Sequence, residues 1–377
     1  MPRPTVLVVG AGIAGASTAW HLARSGRVHV VVLEKEKSGD CHSTGRSAAI
    51  LRTAVEDAET HDLAKKSLAF YQNPPRGFSD TPLYSARGVI LAADATADAD
   101  FQTWVNHPET SVGGKAISPQ EAQALVAPLA DGVTSAYLFP DEGTLDVSAV
   151  HQAFLMGAQK SGAKIHYETA LTGILSSDGV FRGAQSSHGF FPAEHLVVAA
   201  GGWAGTLLDE EGFGLPLVAK RRHLLVTEPS PQVDQNWPVV WIAGKECYFR
   251  PESGGLLISA CDEAEVLPDQ GSTVDFTVLD LLAQKVQRWI PDFSSLGAAH
   301  YWAGMRTFSP DGRFVLGPDK RLQGLHWAAA LGGHGVTCAP AIGQKVAADI
   351  LASYFDLEKP EPIKSHHEGQ PVIETEN

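Results

Sequence analysis

Gly10, Gly12 and Gly15, inside the run VLVVGAGIAGAS from Val6 to Ser17, have the spacing of a phosphate-cradling turn. In such a turn the first glycine permits the tight bend and the second lets backbone approach a pyrophosphate. The third allows close helix-strand packing, and the helix beginning at Ile13 and Ala14 then faces the phosphates. Glu34 ends the next apolar run, where a carboxylate takes ribose hydroxyls and repels a 2′-phosphate, so NADP is disfavoured. This motif alone does not separate FAD from NAD. A second phrase, STGRSAAILR from Ser43, does. It is small, polar and poor core material, and suits backbone lying against a ligand. Ser43, Thr44, Arg46 and Ser47 would then stand near phosphate or ring oxygens, with Ala48 beside them. An NAD dehydrogenase needs no second cradle directly after the acidic strand, whereas a flavin ring is held along its length.

The elements that must position these residues follow from periodicity. Thr5–Val9 is a short β-branched run typical of a buried parallel strand, and Ile13, Ala16, Ala19, Trp20 and Ala23 recur at helical spacing. Val28–Leu33 is a second apolar strand, so the chain opens with a βαβ unit and a mainly parallel sheet. Helices are predicted over Ala58–Tyr71, from the capping box Ser118-Pro119-Gln120-Glu121, over Ser148–Lys160, and from about Ala339 to Tyr354. Strands are predicted at Gly88–Ala93, Lys164–Glu168, His195–Ala199 and Leu325–Ala330. Between Pro216 and Ala299 the texture changes to strand-like runs broken by Pro, Gly and Asp, which suggests a mixed or antiparallel sheet. The polar tail after Lys364 reads as disordered.

A chain of 377 residues exceeds the usual single core, so two domains are expected. A net charge of -14 disfavours nucleic acid and anionic membrane surfaces as partners. The four cysteines show no CxxC pair and no metal-ligand spacing, which points to reduced thiols, no structural metal and a cytoplasmic location. The uncharged run Thr5–Ala23 could pass for a signal or a membrane span, but its glycine turn and internal His21 argue for a folded βα unit. No stable membrane insertion is expected.

The phrases VVGAGIAGAS, LEKE, HSTGRSAA, VVAAGGWAG, WAGMRTFSPDGRFVLGP and LGGHGVTCAPAIGQ, in that order, resemble the FAD-dependent D-amino acid oxidase/dehydrogenase superfamily. That superfamily includes glycine and sarcosine oxidases. The closest look is to bacterial dehydrogenases of the D-arginine type, which share HSTGRSAA and KRR. The resemblance implies an α/β fold (α+β overall), with a Rossmann-like FAD-binding domain and a second, mostly antiparallel-sheet substrate domain. It implies a discontinuous layout: 1–85, 147–215 and 300–365 for FAD, 86–146 and 216–299 for substrate, and a tail from 366 to 377. It further implies that Lys35, Ala170, Ala200, Gly201, Trp203, Gly332, Gly333, Gly335, Val336 and Thr337 lie near the cofactor, together with the residues named above. FAD is expected to be non-covalent, because the cysteine that sarcosine oxidases link to flavin falls at about Gly304 here.

For chemistry, an α-amino acid demands a carboxylate anchor, which the planar fork of arginine supplies. Arg306 matches the superfamily's carboxylate-binding arginine, and Arg222 a second one in the D-arginine type. Against these stands a plain salt-bridging role, more so for Arg222 with Arg221 beside it. Tyr248 is a hydroxyl donor to the same carboxylate or a packing residue. His334 tunes the ring, touches substrate, or is an ordinary loop histidine. His42 reads as a flavin-loop residue, and no catalytic base stands out. Gly88–Leu91, Ile50 and Val55 offer no acid for a basic substrate, which favours neutral or apolar D-amino acids. The expected reaction gives an imino acid, then a 2-oxo acid and ammonia, with oxygen or a quinone as electron acceptor. Oxidation of a secondary amine such as sarcosine, a 2-hydroxy acid dehydrogenase, or a flavin-binding subunit without turnover are the alternatives.

Overall fold

The computed structural model describes residues 3–244 and 247–355; the tail after Lys364 lies outside the described residues. Thr5–Val9 lies inside a six-stranded sheet, with His29–Leu33 on one side and His195–Val198 on the other, both parallel to it. Leu325–Ala329 and Lys164–His166 extend the parallel set, and Val315–Pro318 closes one edge antiparallel. Strands buried on both faces must be apolar throughout, and Val6, Leu7 and Val8 are fully buried.

The helix Ile13–Arg24 packs against Gly335–Phe355, where Gly343 has no room for a Cβ: one would stand 2.2 Å from Ser17 Oγ. Ser17 Oγ itself donates to the Ala339 carbonyl at 2.7 Å. Small residues thus set the close approach of these two helices. The last helix begins at Gly335, four residues before the expected Ala339, with Pro340 inside it. A proline deprives the carbonyl four residues back of its donor. Here that carbonyl belongs to Val336, and Tyr71 Oη donates to it at 2.5 Å.

The second unit is an eight-stranded sheet in the order 298–308, 218–227, 255–259, 248–252, 239–242, 89–93, 135–139 and 115–117. Its pairs are antiparallel except Val239–Ile242 with Val89–Ala93. The helix Thr277–Trp289 covers one face, burying Leu282 and Trp289 in a core with Ile258 and Phe249. The strand Ala298–Phe308 pairs along its length with Val218–Thr227, so the stretch 300–308 sits in this sheet rather than with the parallel one. A boundary drawn at 300 cuts through that strand. Two smaller sheets complete the fold: the meander Leu171–Pro192, unforeseen in the sequence, and a seam of Ile50–Leu51, Gly143–Leu145 and Tyr84–Ser85 between the large sheets. Among the described residues no helix is long and apolar enough to cross a membrane, and Cys41, Cys261 and Cys338 are free thiols.

Candidate active site

A cavity of about 580 Å³ runs between the two large sheets. At one end the helix Ile13–Arg24 starts without a side-chain cap, since its N-cap is Gly12. Gly12, Ile13 and Ala14 line the cavity there. Gly10 and Gly15 do not line it but make the turn possible. Gly10 has φ +101° and abuts the Ala199 carbonyl, and a Cβ on Gly15 would stand 1.8 Å from Gly10 O. Thr44 Oγ1 accepts from Ile13 N at 3.0 Å, which fixes the second glycine-containing loop against the first. Glu34 is buried outside the cavity lining, with its carboxylate accepting from Ala11 N at 2.7 Å and Glu36 N at 2.9 Å. An uncapped helix start with bare glycine backbone and a carboxylate beyond it is a fit for the pyrophosphate and ribose of a dinucleotide.

Ser43, Thr44, Arg46, Ser47 and Ala48 all line the cavity, as do Gly201, Gly332, Gly333, Gly335 and Val336. Arg46 commits Nε to the Cys41 carbonyl at 3.0 Å and Nη1 to the Ala303 carbonyl at 3.1 Å, tying the loop to the strand that carries Arg306. Lys35, Ala170, Ala200, Trp203 and Thr337 stand outside the lining. Lys35 lies over the Trp203 ring at 3.4 Å, and Trp203 Nε1 donates to Asp269. Ala170 N donates to Ser187 Oγ, Ala200 precedes the turn at Gly201–Trp203, and Thr337 Oγ1 donates to the Ile50 carbonyl at 3.3 Å. His42 pairs with Glu36 at 2.8 Å. Ala49, Cys261 and Ala330 hold left-handed backbone at this cavity's edge, with φ of 59°, 56° and 58°. Such strain in non-glycine residues collects where a site needs a fixed wall.

At the other end stand Arg306, Arg222, Tyr248 and His334, all in the lining. Arg306 Nη2 donates to Tyr248 Oη at 3.4 Å, and Tyr248 stacks on Trp241 with ring centroids 4.6 Å apart. Gly333 presses bare backbone on the guanidinium: a Cβ there would meet Arg306 Cζ at 3.2 Å. Among the described residues no carboxylate forms an ion pair with Arg306, whereas Arg222 Nη2 binds Glu263 Oε1 at 2.8 Å. Burial first, then the charges of Arg52 and Arg306, push His334 down to about 3, so its imidazole is neutral at ordinary pH. Arg52, Trp241 and Glu263 also line the cavity and went unremarked in the sequence. Arg52 closes the second glycine-loop phrase, the only signal that could have marked it. The strand Val89–Ala93, read as a side-chain receiver, is instead buried in a core cluster with Phe101 and Phe139.

The sequence matches the family profile of FAD dependent oxidoreductases (DAO) over residues 5–349. It is 26% identical over 365 residues to an uncharacterized oxidoreductase, YurR, of Bacillus subtilis (strain 168), covering 93% of this chain and 96% of that one. It is 25% identical over 372 residues to glycine oxidase of Bacillus licheniformis, covering 96% and 97%. In three dimensions it superposes on L-proline dehydrogenase from P. horikoshii with a TM-score of 0.83 at 24% identity, covering 93% of this chain and 94% of that one.

Proposed function

The chain belongs to the family of FAD-dependent oxidoreductases, and from that premise we propose that it oxidises the Cα–N bond of a D-amino acid. The observation that carries this reading is Arg306, a guanidinium open to the cavity, bonded to a phenol and lacking a carboxylate partner among the described residues. Its fork accepts both oxygens of a carboxylate, and charge-assisted pairs of this kind are short and strong. Tyr248 Oη accepts from Arg306 and keeps its own proton for the same carboxylate. Arg222 lines the same cavity but is paired with Glu263, so Arg306 is the cation left for the carboxylate. The glycine cradle would hold FAD non-covalently, and the flavin would supply the acceptor for the α-hydrogen as hydride; the imino acid left behind would be hydrolysed to a 2-oxo acid and ammonia.

The chain's own task is therefore orientation. Arg306 and Tyr248 fix the carboxylate, which directs the α-carbon to one face of the cavity. Neutral His334 can accept a hydrogen bond at one ring nitrogen and donate from the other, but carries no imidazolium proton. Position 304 is a glycine, with no side chain to link to a flavin, and a Cβ there would stand in tight contact, 3.0 Å from Arg46 Cβ. The likeness to glycine oxidase favours a second reading, in which glycine or an N-substituted glycine is the substrate.

The test is an anaerobic screen for bleaching of the bound flavin by D- and L-amino acids, glycine, sarcosine and 2-hydroxy acids, with ammonia and formaldehyde assayed as products. Bleaching by D-amino acids with ammonia release is expected. A yellow protein that no amino acid decolours would overturn the reading.

A further inference from the structure

Resting on the amino-acid oxidation above, we propose that the substrate bears a second carboxylate, held by Arg52 on the side of Trp241 remote from Arg306. Arg52 is 9% exposed and lines the cavity. Its Nη2 donates to the Ala54 carbonyl at 3.3 Å; no carboxylate forms an ion pair with it among the described residues. Glu142 is the acid whose charge bears on it most, but Glu142 turns Oε1 to Thr53 N, Thr53 Oγ1 and Ala54 N. A guanidinium removed from water without a bonded counter-ion is costly, and an anionic ligand group relieves that cost.

Position separates this cation from the first. Trp241 and Tyr248 are cross-strand partners, so their rings stand side by side on one sheet face. Arg52 lies 4.1 Å from the Trp241 ring centroid and 4.9 Å from that of Trp104. Trp104 packs on Phe139, whose strand lies two places beyond that of Trp241 and away from that of Tyr248. Arg52 therefore meets the indole from one side, while Tyr248, with Arg306 bonded to it, stands on the other. The two cations are thus held apart by the stacked ring pair of Trp241 and Tyr248, and both charges bear on His334. Two cations on opposite sides of that ring pair suit an amino acid with an acid group at each end. Ile50 and Val55 add apolar lining to the cavity, suited to methylenes. The expectation of a neutral side chain rested on the absence of an acid at Gly88–Leu91, Ile50 and Val55; it excluded a basic substrate and did not weigh Arg52 as an anchor for an acidic one.

Flavin bleaching is measured anaerobically with D-aspartate, D-glutamate and iminodiacetate against D-asparagine, D-glutamine and glycine. The acidic compounds are expected to reduce the flavin with roughly 10- to 100-fold higher kred/Kd than their neutral counterparts. Arg52→Met, checked for an intact flavin spectrum, is expected to bring that ratio close to one, and Arg52→Lys to retain part of it. Equal or better reduction by the neutral compounds overturns the inference while leaving amino-acid oxidation in place. So does an unchanged ratio in Arg52→Met. Bleaching by none of them overturns the underlying reading as well.

Discussion

The two ends of the cavity are built by different means. The glycine end is made mainly of backbone from two contiguous stretches, Gly10–Gly15 and Ser43–Ala48. The arginine end is made of side chains that arrive from five separate segments, at Arg52, Arg222, Trp241 with Tyr248, Arg306 and His334. A backbone cradle fails when a single atom is added. A side-chain cluster fails by degrees, one contact at a time.

Gly15→Ala breaks the first end outright. A Cβ 1.8 Å from Gly10 O forces the turn apart, and the expected cost is about 4 kcal/mol or more, a size reached by few mechanisms. Flavin-to-protein ratio and melting temperature measure it, and a yellow protein of normal stability contradicts the cradle. Arg306→Met touches only the second end. It is expected to lower kcat/KM by about 2–4 kcal/mol, roughly 30- to 1,000-fold and mainly through KM, with flavin content intact. An unchanged KM removes Arg306 from the site.

Smaller effects come from protonation. His195 and His326 are buried and bonded at 3.0 Å, and burial pushes them down to about 4 and about 3. Their folded values lie below the unfolded value near 6.5, so the unfolded chain binds more protons in acid. Stability contributed by the pair is present above pH 6.5 and lost as pH falls toward 4, by up to about 1.4 kcal/mol per pH unit for each group. Urea unfolding at pH 7, 6 and 5 reads this slope, which His326→Leu should flatten. Finally, a carboxylate inhibitor should raise the His334 pKa, because it offsets the Arg52 and Arg306 charges that depress it. Histidine NMR titration with and without inhibitor distinguishes this from no change.

The same contrast explains what was legible in the sequence. The βαβ opening, the capping box at Ser118 and the texture change after Pro216 are local signals with local causes, and each corresponds to an element of the fold. Arg306 and Tyr248 could be named through resemblance, but their bond joins residues 58 positions apart, and no spacing rule encodes it. Arg222 was read as the more salt-bridging of the two because Arg221 sits beside it, and the acid that pairs with it, Glu263, lies 41 positions away where no spacing rule points. Arg52 was hidden because the phrase containing it was read for its glycine and hydroxyls. Its environment comes from Trp104 and Trp241, both distant along the chain.

The phenol that completes the broken rung at Pro340 makes two distant positions interdependent. With proline there, Tyr71 is needed; with an alanine there, the helix would satisfy Val336 itself and the hydroxyl would become redundant. Tyr71→Phe and Pro340→Ala should therefore show non-additive energies in a double-mutant cycle, and a lineage that lost one would be free to lose the other.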